Sequence, residues 1–200
     1  MPSYTVSFRT FGCRLNQAET ENAAAAFTAA GAEVVPFGEA ADVVVFNTCT
    51  VTSKAEQKAR REMRLALRRS PDAVILATGC YAELEGAAVS ALAPRVVGLP
   101  GSRKGAIVGF AQAMADAHAE GLDPLDEARR YLSWSAGKPA DPFFFNPGDS
   151  RLRSRAALKI EDGCDNRCSY CRVCIARGRA QSLEPALVLE RARVLASSGY

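Results

Sequence analysis

The first hundred residues alternate short apolar segments with longer segments of helical pattern. Two of the apolar segments, VVVFN and AVILAT, are apolar at nearly every position. Strands of this kind are typical of a parallel sheet that helices cover on both faces. We predict strands at Tyr4–Arg9, Glu33–Val35, Asp42–Asn47, Ala73–Thr78 and Arg95–Val97. We predict helices at Asn16–Ala30, Ser53–Arg69, Glu83–Leu92 and Lys104–Glu120. The fold class is therefore α/β, with an N-terminal three-layer domain built on a parallel sheet.

The composition changes after the last of these helices. Residues 121–150 include GKPADPFFFNPGDS, which is rich in Pro, Gly and Asp and is typical of a linker. Its phenylalanines, Phe143, Phe144 and Phe145, are expected to pack on a domain surface. Beyond it, a strand at Ala156–Glu161 and a helix at Pro185–Ser198 flank a cysteine-rich loop. We therefore predict a domain over 1–120, a linker over 121–150 and the start of a second domain over 151–200.

Seven cysteines in 200 residues limit the kind of protein this is. The odd number and the length argue against a disulfide-stapled scaffold. The N-terminus has no apolar segment that resembles a signal peptide, so we expect a cytoplasmic protein with reduced thiols. In that compartment, clustered cysteines usually bind metal.

Three cysteines lie close together in DGCDNRCSYC: Cys164, Cys168 and Cys171. Three thiolates can bind three irons of a cubic [4Fe–4S] cluster and leave the fourth iron open to a small molecule. Cys174 extends the series. It is either a bystander thiol, which we favour, or a fourth ligand that would close the open iron.

Three further cysteines, Cys13, Cys49 and Cys80, each follow a predicted strand. Turns of this kind meet at the carboxyl edge of a parallel sheet, where open α/β folds bind ligands. We therefore predict a second three-thiolate metal site there, while ordinary buried cysteines remain the alternative. Zinc would need a fourth ligand, and the only histidine, His118, is not expected to supply it.

The last fifty residues form the basic end of the chain, with 10 Lys and Arg against 5 Asp and Glu. An anionic partner such as a phosphate backbone is therefore expected. The arginines around the cysteine loop are Arg151, Arg153, Arg155, Arg167, Arg172, Arg177 and Arg179. Arg155, Arg177 and Arg179 are our candidates for RNA contact, with a solvated charged face as the alternative.

The pattern C-x3-C-x-aromatic-C, with Tyr170 before the last cysteine, resembles the radical S-adenosylmethionine superfamily. More of the chain, in TFGCRLNQAETE, NTCTVTSKAEQKAR, ATGCYAE, RSRAALKIEDGCDNRCSYC and ARGR, resembles the methylthiotransferases of that superfamily. FGCRLNQ and NTCTVT most resemble the enzymes that act on N6-threonylcarbamoyladenosine in tRNA. Arg172 and Cys174 depart from the family pattern, which has an apolar residue and a proline there.

The resemblance implies a transferase with two [4Fe–4S] clusters. One, on Cys164, Cys168 and Cys171 with Tyr170 beside it, cleaves S-adenosylmethionine to a radical that abstracts hydrogen from C2 of the modified adenine next to the anticodon. The other, on Cys13, Cys49 and Cys80, holds or supplies the sulfur, and a second S-adenosylmethionine supplies the methyl group. The implied partners are the tRNA anticodon loop and an electron donor such as flavodoxin or ferredoxin, with a monomeric enzyme.

The resemblance also implies that 151–200 is the first β/α unit of a partial TIM-like barrel. A barrel needs about 200 residues or more, so we expect a C-terminally truncated fragment that is inactive alone. Two alternatives remain open. One is a non-catalytic iron–sulfur or zinc-binding module that interacts with RNA, and the other is a methylthiotransferase for another tRNA adenosine or a ribosomal protein.

Overall fold

A five-stranded parallel sheet lies at the centre of the N-terminal part of the chain. The structure, a computed structural model, describes residues 4–50, 53–146 and 156–199. The strands are β1 (Thr5–Thr10), β2 (Glu33–Val34), β3 (Val43–Thr48), β4 (Val74–Gly79) and β5 (Val96–Gly98). Their order across the sheet is β2-β1-β3-β4-β5, and every pair is parallel. The predicted α/β fold with a parallel sheet is confirmed.

Helices cover both faces of this sheet. They are α1 (Arg14–Ala29), α2 (Ser53–Arg69), α3 (Cys80–Leu84), α4 (Gly86–Ser90), α5 (Ile107–Glu120) and α6 (Pro124–Ser135), with a 3-10 helix at Gly101–Ala106 before α5. The predicted helix at Glu83–Leu92 is instead the pair α3 and α4, because the backbone at Glu85 (φ −129°, ψ 37°) leaves the helical region.

Alternating side chains of the central strands build two separate cores. Every residue of β3 and β4 is buried. Val45 packs with Phe27 and Phe110 on the face covered by α1 and α5. Phe46 points to the other face and packs with Met63 of α2. The sheet is thus the middle of three layers, as strands without a polar face require.

The segment predicted as a linker begins with a helix. α6 starts at Pro124, with Asp123 as its N-cap accepting a hydrogen bond from the Leu125 amide at 2.9 Å. Leu125 and Ala128 are buried in the core that α1 and α5 share. Pro124–Ser135 is thus a helix that packs on the N-terminal core, while the division of the chain into domain, linker and second domain stays a prediction. The Asp-Pro start of this helix is a recognisable helix signal.

The phenylalanines of this segment pack on the domain. Phe143 and Phe144 are buried at 7% and 8% relative exposure, so the expected packing on the domain surface is confirmed.

Residues 156–199 form a hairpin-like loop and two helices. The elements are β6 (Glu161–Asp162), α7 (Val173–Arg177), β7 (Gln181–Ser182) and α8 (Pro185–Ser197). The predicted strand Ala156–Glu161 is shorter and lies later, because only Glu161 and Asp162 find ladder partners, in antiparallel β7. The helix predicted at Pro185–Ser198 is observed. That this region begins a barrel stays a prediction.

Within the described ranges 4–50, 53–146 and 156–199, the structure contains no helix with the length and apolar character to span a membrane.

Candidate functional site

Cys13, Cys49 and Cys80 lie at the carboxyl edge of the sheet. Cys13 is the N-cap residue of α1, Cys49 directly follows β3, and Cys80 is the first residue of α3, directly after β4. β1, β3 and β4 are neighbours in the sheet and end at the same level, with Thr48 opposite Gly79. We call these three turns the cysteine edge. Cys13 is exposed, Cys49 is buried and Cys80 is half-buried.

Two glycines allow the turns of the cysteine edge to pack closely on each other. Gly12 has φ +96°, and a Cβ placed on it would lie 2.6 Å from Cβ and 2.7 Å from Sγ of Cys49. Gly79 has φ +95°, and its Cβ would lie 2.7 Å from Oδ1 of Asn47. Only glycine takes these backbone angles without strain while leaving room for the neighbour. The turn that carries Cys13 therefore packs directly on Cys49.

The three thiols of the cysteine edge come from neighbouring turns. Among the residues that the structure describes, there is no group of three His, Cys, Asp or Glu side chains able to hold one metal ion. A cubic [4Fe–4S] cluster binds each cysteine through a different iron, so its ligands need not converge on one point. Cluster binding by Cys13, Cys49 and Cys80 stays a prediction.

His118 lies away from this edge. Its ring is 6.0 Å from the ring of Tyr4, and Tyr4 precedes β1 at the amino ends of the strands. The cysteine edge is at the opposite ends of those strands, so His118 does not complete a zinc site there.

Cys164, Cys168 and Cys171 lie in a closed segment between β6 and β7 that includes α7. The Cys164 amide donates to the Gly178 carbonyl at 3.1 Å, and the Cys171 amide donates to the Cys168 carbonyl at 3.0 Å. Gly163 has φ +76°, and a Cβ on it would lie 2.8 Å from the Gly178 carbonyl oxygen. We call residues 163–180 the cysteine loop. Cys168 is exposed, while Cys164 and Cys171 are half-buried.

The remaining side chains named for this loop differ in their surroundings. Tyr170 is 88% exposed. The Cys174 thiol is 3.9 Å from the Cys171 carbonyl oxygen, to which it donates within its own turn. Arg172 reaches across to the cysteine edge, where Nη1 donates to the hydroxyl of Thr50 at 3.3 Å. Arg172, one of the two residues that depart from the family pattern, thus contacts the residue that follows Cys49.

A buried group of charges connects the cysteine loop to α1. Its members, which we call the Glu19 ion cluster, are Glu19, Lys104, Lys159, Asp162 and Arg177. Glu19 accepts from Lys104, from Lys159 at 2.9 Å and from Arg177 at 3.1 Å. Asp162 accepts from Lys159 at 2.5 Å and from Arg177 at 2.8 Å. The side chains are at most 14% exposed.

The charges set the ionisation of the carboxylates. Burial alone would raise the pKa of Glu19, but Lys104, Arg177 and Lys159 together hold that pKa well below its usual range. Burial would likewise raise the pKa of Asp162, and hydrogen bonds from Lys159 and Arg177 lower it. Both groups are therefore carboxylates at neutral pH.

The same positive charges reach Cys80. Burial raises the pKa of the Cys80 thiol, while the charges of Arg177 and Lys104 and a hydrogen bond from Arg177 act in the opposite direction. The pKa of the Cys80 thiol stays above its usual value, because the effect of burial is larger than that of the two cations.

The structure separates the three candidates for RNA contact. Arg155 lies outside the described residues. The side chain of Arg177 is 10% exposed and its guanidinium is committed to Glu19, Asp162 and Asn16. We therefore assign Arg177 to the connection between the two regions and not to phosphate. Arg179 is 88% exposed, with Asp165 at 3.5 Å, and its contact with RNA stays a prediction.

The residues missed from the sequence are the acidic and basic partners of Arg177. Glu19, Lys104 and Lys159 are each separated from Arg177 by many residues, and their helix or loop settings are those of ordinary surface charges. A signal was present at Lys159, a charged residue in the otherwise apolar run AALKI. This signal does not identify the partners of Lys159 and Arg177, because the charged residues come from distant segments of the chain.

Residues 5–101 match the model of the family described as "Uncharacterized protein family UPF0004". Nearly the whole chain is also similar to curated tRNA-modifying enzymes. It is 36% identical over 198 residues to "Threonylcarbamoyladenosine tRNA methylthiotransferase MtaB" of Bacillus subtilis, covering 98% of this chain and 42% of that protein.

Two further relatives are similar to this chain over the same share of its length. The protein of the same name from Treponema pallidum is 34% identical over 98% of this chain and 51% of that protein. A "tRNA-2-methylthio-N(6)-dimethylallyladenosine synthase" from Solibacter usitatus is 32% identical over 98% of this chain and 42% of that protein. The chain thus spans about half or less of the length of these relatives. The relationship to methylthiotransferases that the motifs indicated is confirmed.

Proposed function

We propose that this chain works in the methylthiolation of tRNA, at C2 of N6-threonylcarbamoyladenosine next to the anticodon. The observation that carries the proposal is the pairing of two cysteine groups, the cysteine edge and the cysteine loop, which Arg172 and Arg177 connect. Relatives named for threonylcarbamoyladenosine, at 36% and 34% identity, support this substrate, and the relative named for dimethylallyladenosine, at 32%, makes that base the alternative.

In this proposal the two cysteine groups have different tasks. Cys164, Cys168 and Cys171 would hold a [4Fe–4S] cluster with one open iron, which supplies the electron that cleaves S-adenosylmethionine when bound. The cysteine loop orients these thiolates through its own backbone hydrogen bonds. Cys13, Cys49 and Cys80 would hold the auxiliary cluster associated with sulfur. Arg177 and Lys104 place positive charge beside Cys80 and limit the rise of its pKa that burial causes.

The proposal includes partners and a compartment. Arg179 is exposed and basic, so it suits contact with a tRNA phosphate. An electron donor such as flavodoxin or ferredoxin would reduce the cluster of the cysteine loop. A monomer in the cytoplasm, where thiols stay reduced, fits this chemistry.

The test is deletion of the encoding gene in the source organism, followed by mass spectrometry of tRNA nucleosides. We expect 2-methylthio-N6-threonylcarbamoyladenosine to disappear and its unmethylthiolated precursor to accumulate. Complementation should succeed with the wild-type gene and with Cys174→Ala, and fail with Cys164→Ala and with Cys13→Ala. Loss of 2-methylthio-isopentenyladenosine instead would overturn the assigned substrate. An unchanged nucleoside profile would overturn the proposed function.

A further inference from the structure

The proposed chemistry does not require the Glu19 ion cluster, yet it is buried between the two cysteine groups. Buried charges are costly unless they are paired and hydrogen-bonded. Here five charged side chains from four segments of the chain lie together in one buried group. Glu19 belongs to α1, Lys104 to the 3-10 helix, Lys159 and Asp162 precede the cysteine loop, and Arg177 ends α7. Such an arrangement favours one relative placement of these segments over others.

We infer that Arg177 is a positioning residue, which fixes the cysteine loop against the cysteine edge through the Glu19 ion cluster. Only the naming of the two cysteine groups as cluster ligands rests on the proposed function.

The first step of the argument is that both ends of the cysteine loop are held. Asp162 stands directly before the loop, and Arg177 lies near its end. They are joined to each other at 2.8 Å. Lys159 links Asp162 to Glu19, at 2.5 and 2.9 Å, and Arg177 also contacts Glu19 at 3.1 Å. The loop is therefore closed at its base and attached to α1 at that same base.

The second step is that Arg177 continues to the turns that carry the first cysteines. Its Nη2 donates to Oδ1 of Asn16 at 2.6 Å. The amide group of Asn16 donates to the carbonyls of Phe11 at 2.8 Å and Thr48 at 3.1 Å. Phe11 lies two residues before Cys13, and Thr48 directly precedes Cys49. One guanidinium thus bridges α7 to the backbone at two turns of the cysteine edge.

The third step concerns the shape of the guanidinium. Arg177 donates from Nη1 to Glu19 and Asp162 and from Nη2 to Asn16. These contacts use the planar fork of arginine, which a lysine ammonium cannot reproduce as a point charge. A glutamine at this position would lose the charge and most of the donors.

The experiment is hydrogen–deuterium exchange of the 200-residue chain, with Arg177→Gln compared to Arg179→Gln. The two arginines are two residues apart in ARGR, but Arg179 is exposed. In Arg177→Gln we expect the amides of Cys164 and Leu183, which are bonded to Gly178 and Ile160, to exchange at least about tenfold faster. In Arg179→Gln we expect wild-type exchange. Amides of β3 and β4 should stay protected in both variants.

Two further measurements keep the inference falsifiable. Arg177→Lys, which keeps the charge and is expected to fold if Arg177→Gln does not, should restore part of the protection of the loop. After reconstitution with iron and sulfide, Arg177→Gln should alter the magnetic interaction between the reduced clusters, seen by electron paramagnetic resonance, while Arg179→Gln should leave it unchanged.

Exchange in Arg177→Gln that equals the wild type, or an equal effect of both glutamine variants, would overturn the inference. Full rescue by Arg177→Lys would overturn the part assigned to the fork. Because the exchange experiment uses no tRNA, a positive result stands even if gene deletion leaves the methylthiolated nucleosides unchanged. That outcome would contradict the proposed function alone.

Discussion

The two cysteine groups are positioned by different means. At the cysteine edge, turns follow three adjacent strands, of which β3 and β4 are buried at every residue. Backbone pairing fixes these turns relative to each other. The cysteine loop is closed by two-residue strands, β6 and β7, and precedes a helix, α8, with no buried residue. Its attachment to the rest of the chain depends on side chains, foremost Arg177. The edge is thus set by the core of the sheet, and the loop by charges.

The largest expected effect compares an apolar side chain in each of the two regions. Phe27 is fully buried between α1 and the sheet, while Leu189 of α8 is 58% exposed. We expect Phe27→Ala to lower the free energy of unfolding by about 3–5 kcal/mol and Leu189→Ala by about 0.5 kcal/mol or less. Urea denaturation measures both. Similar losses for the two variants would contradict the difference between the regions.

The next effect concerns the Glu19 ion cluster and its dependence on pH. Removing one partner of a buried charge group costs about 3 kcal/mol, so we expect Glu19→Gln to lose about that much stability at pH 7. The pKa of Glu19 is lowered from 4.5 in the folded chain. Its contribution is therefore present above about pH 4.5 and is lost as the pH falls below that value.

In urea denaturation from pH 6 to pH 3, the wild type should lose up to about 1.4 kcal/mol per pH unit from this group. Glu19→Gln should have a flatter profile. Glu62→Gln, in the less buried pair with Arg9, is the matched control and should keep a profile close to that of the wild type. A wild-type slope in Glu19→Gln would contradict the assignment.

A smaller effect tests the packing of the cysteine edge. Gly12→Ala combines a strained φ with a clash against Cys49, whereas Gly31 has φ +90° and nothing within 4 Å of its Cβ position. We expect a loss of about 2–3 kcal/mol for Gly12→Ala and about 1 kcal/mol for Gly31→Ala. Thermal unfolding of both variants measures the difference. Equal losses would show that the turn of Cys13 does not depend on close approach to Cys49.

The smallest effect is expected at Cys174. Its thiol contacts the carbonyl of Cys171 within the same turn, which suits a bystander. Iron per chain should therefore be unchanged in Cys174→Ala, while Cys171→Ala should lose about four irons. Loss of iron in Cys174→Ala would show a fourth ligand in the cysteine loop.

The cysteine edge is set by the sheet and the cysteine loop by charges, and this difference explains what the sequence could predict. Strands such as VVVFN are apolar at consecutive positions, and this pattern depends only on local burial, so the sheet and the edge of Cys13, Cys49 and Cys80 followed from it. The Glu19 ion cluster did not, because Glu19 and Arg177 are 158 residues apart and each has the sequence setting of a surface charge. For this reason the sequence alone makes Arg177 a candidate for RNA contact. α6 was missed because its helix signal lies beside a segment rich in Pro and Gly.

The most direct test of the account is the metal content of the chain after anaerobic reconstitution, with electron paramagnetic resonance of the reduced sample. Two separate cysteine groups predict about eight irons and about eight sulfides per chain. Cys13→Ala and Cys164→Ala should each reduce this to about four irons, with the remaining signal differing between the two variants. Stoichiometric zinc with little iron would contradict the account and favour a non-catalytic zinc-binding module.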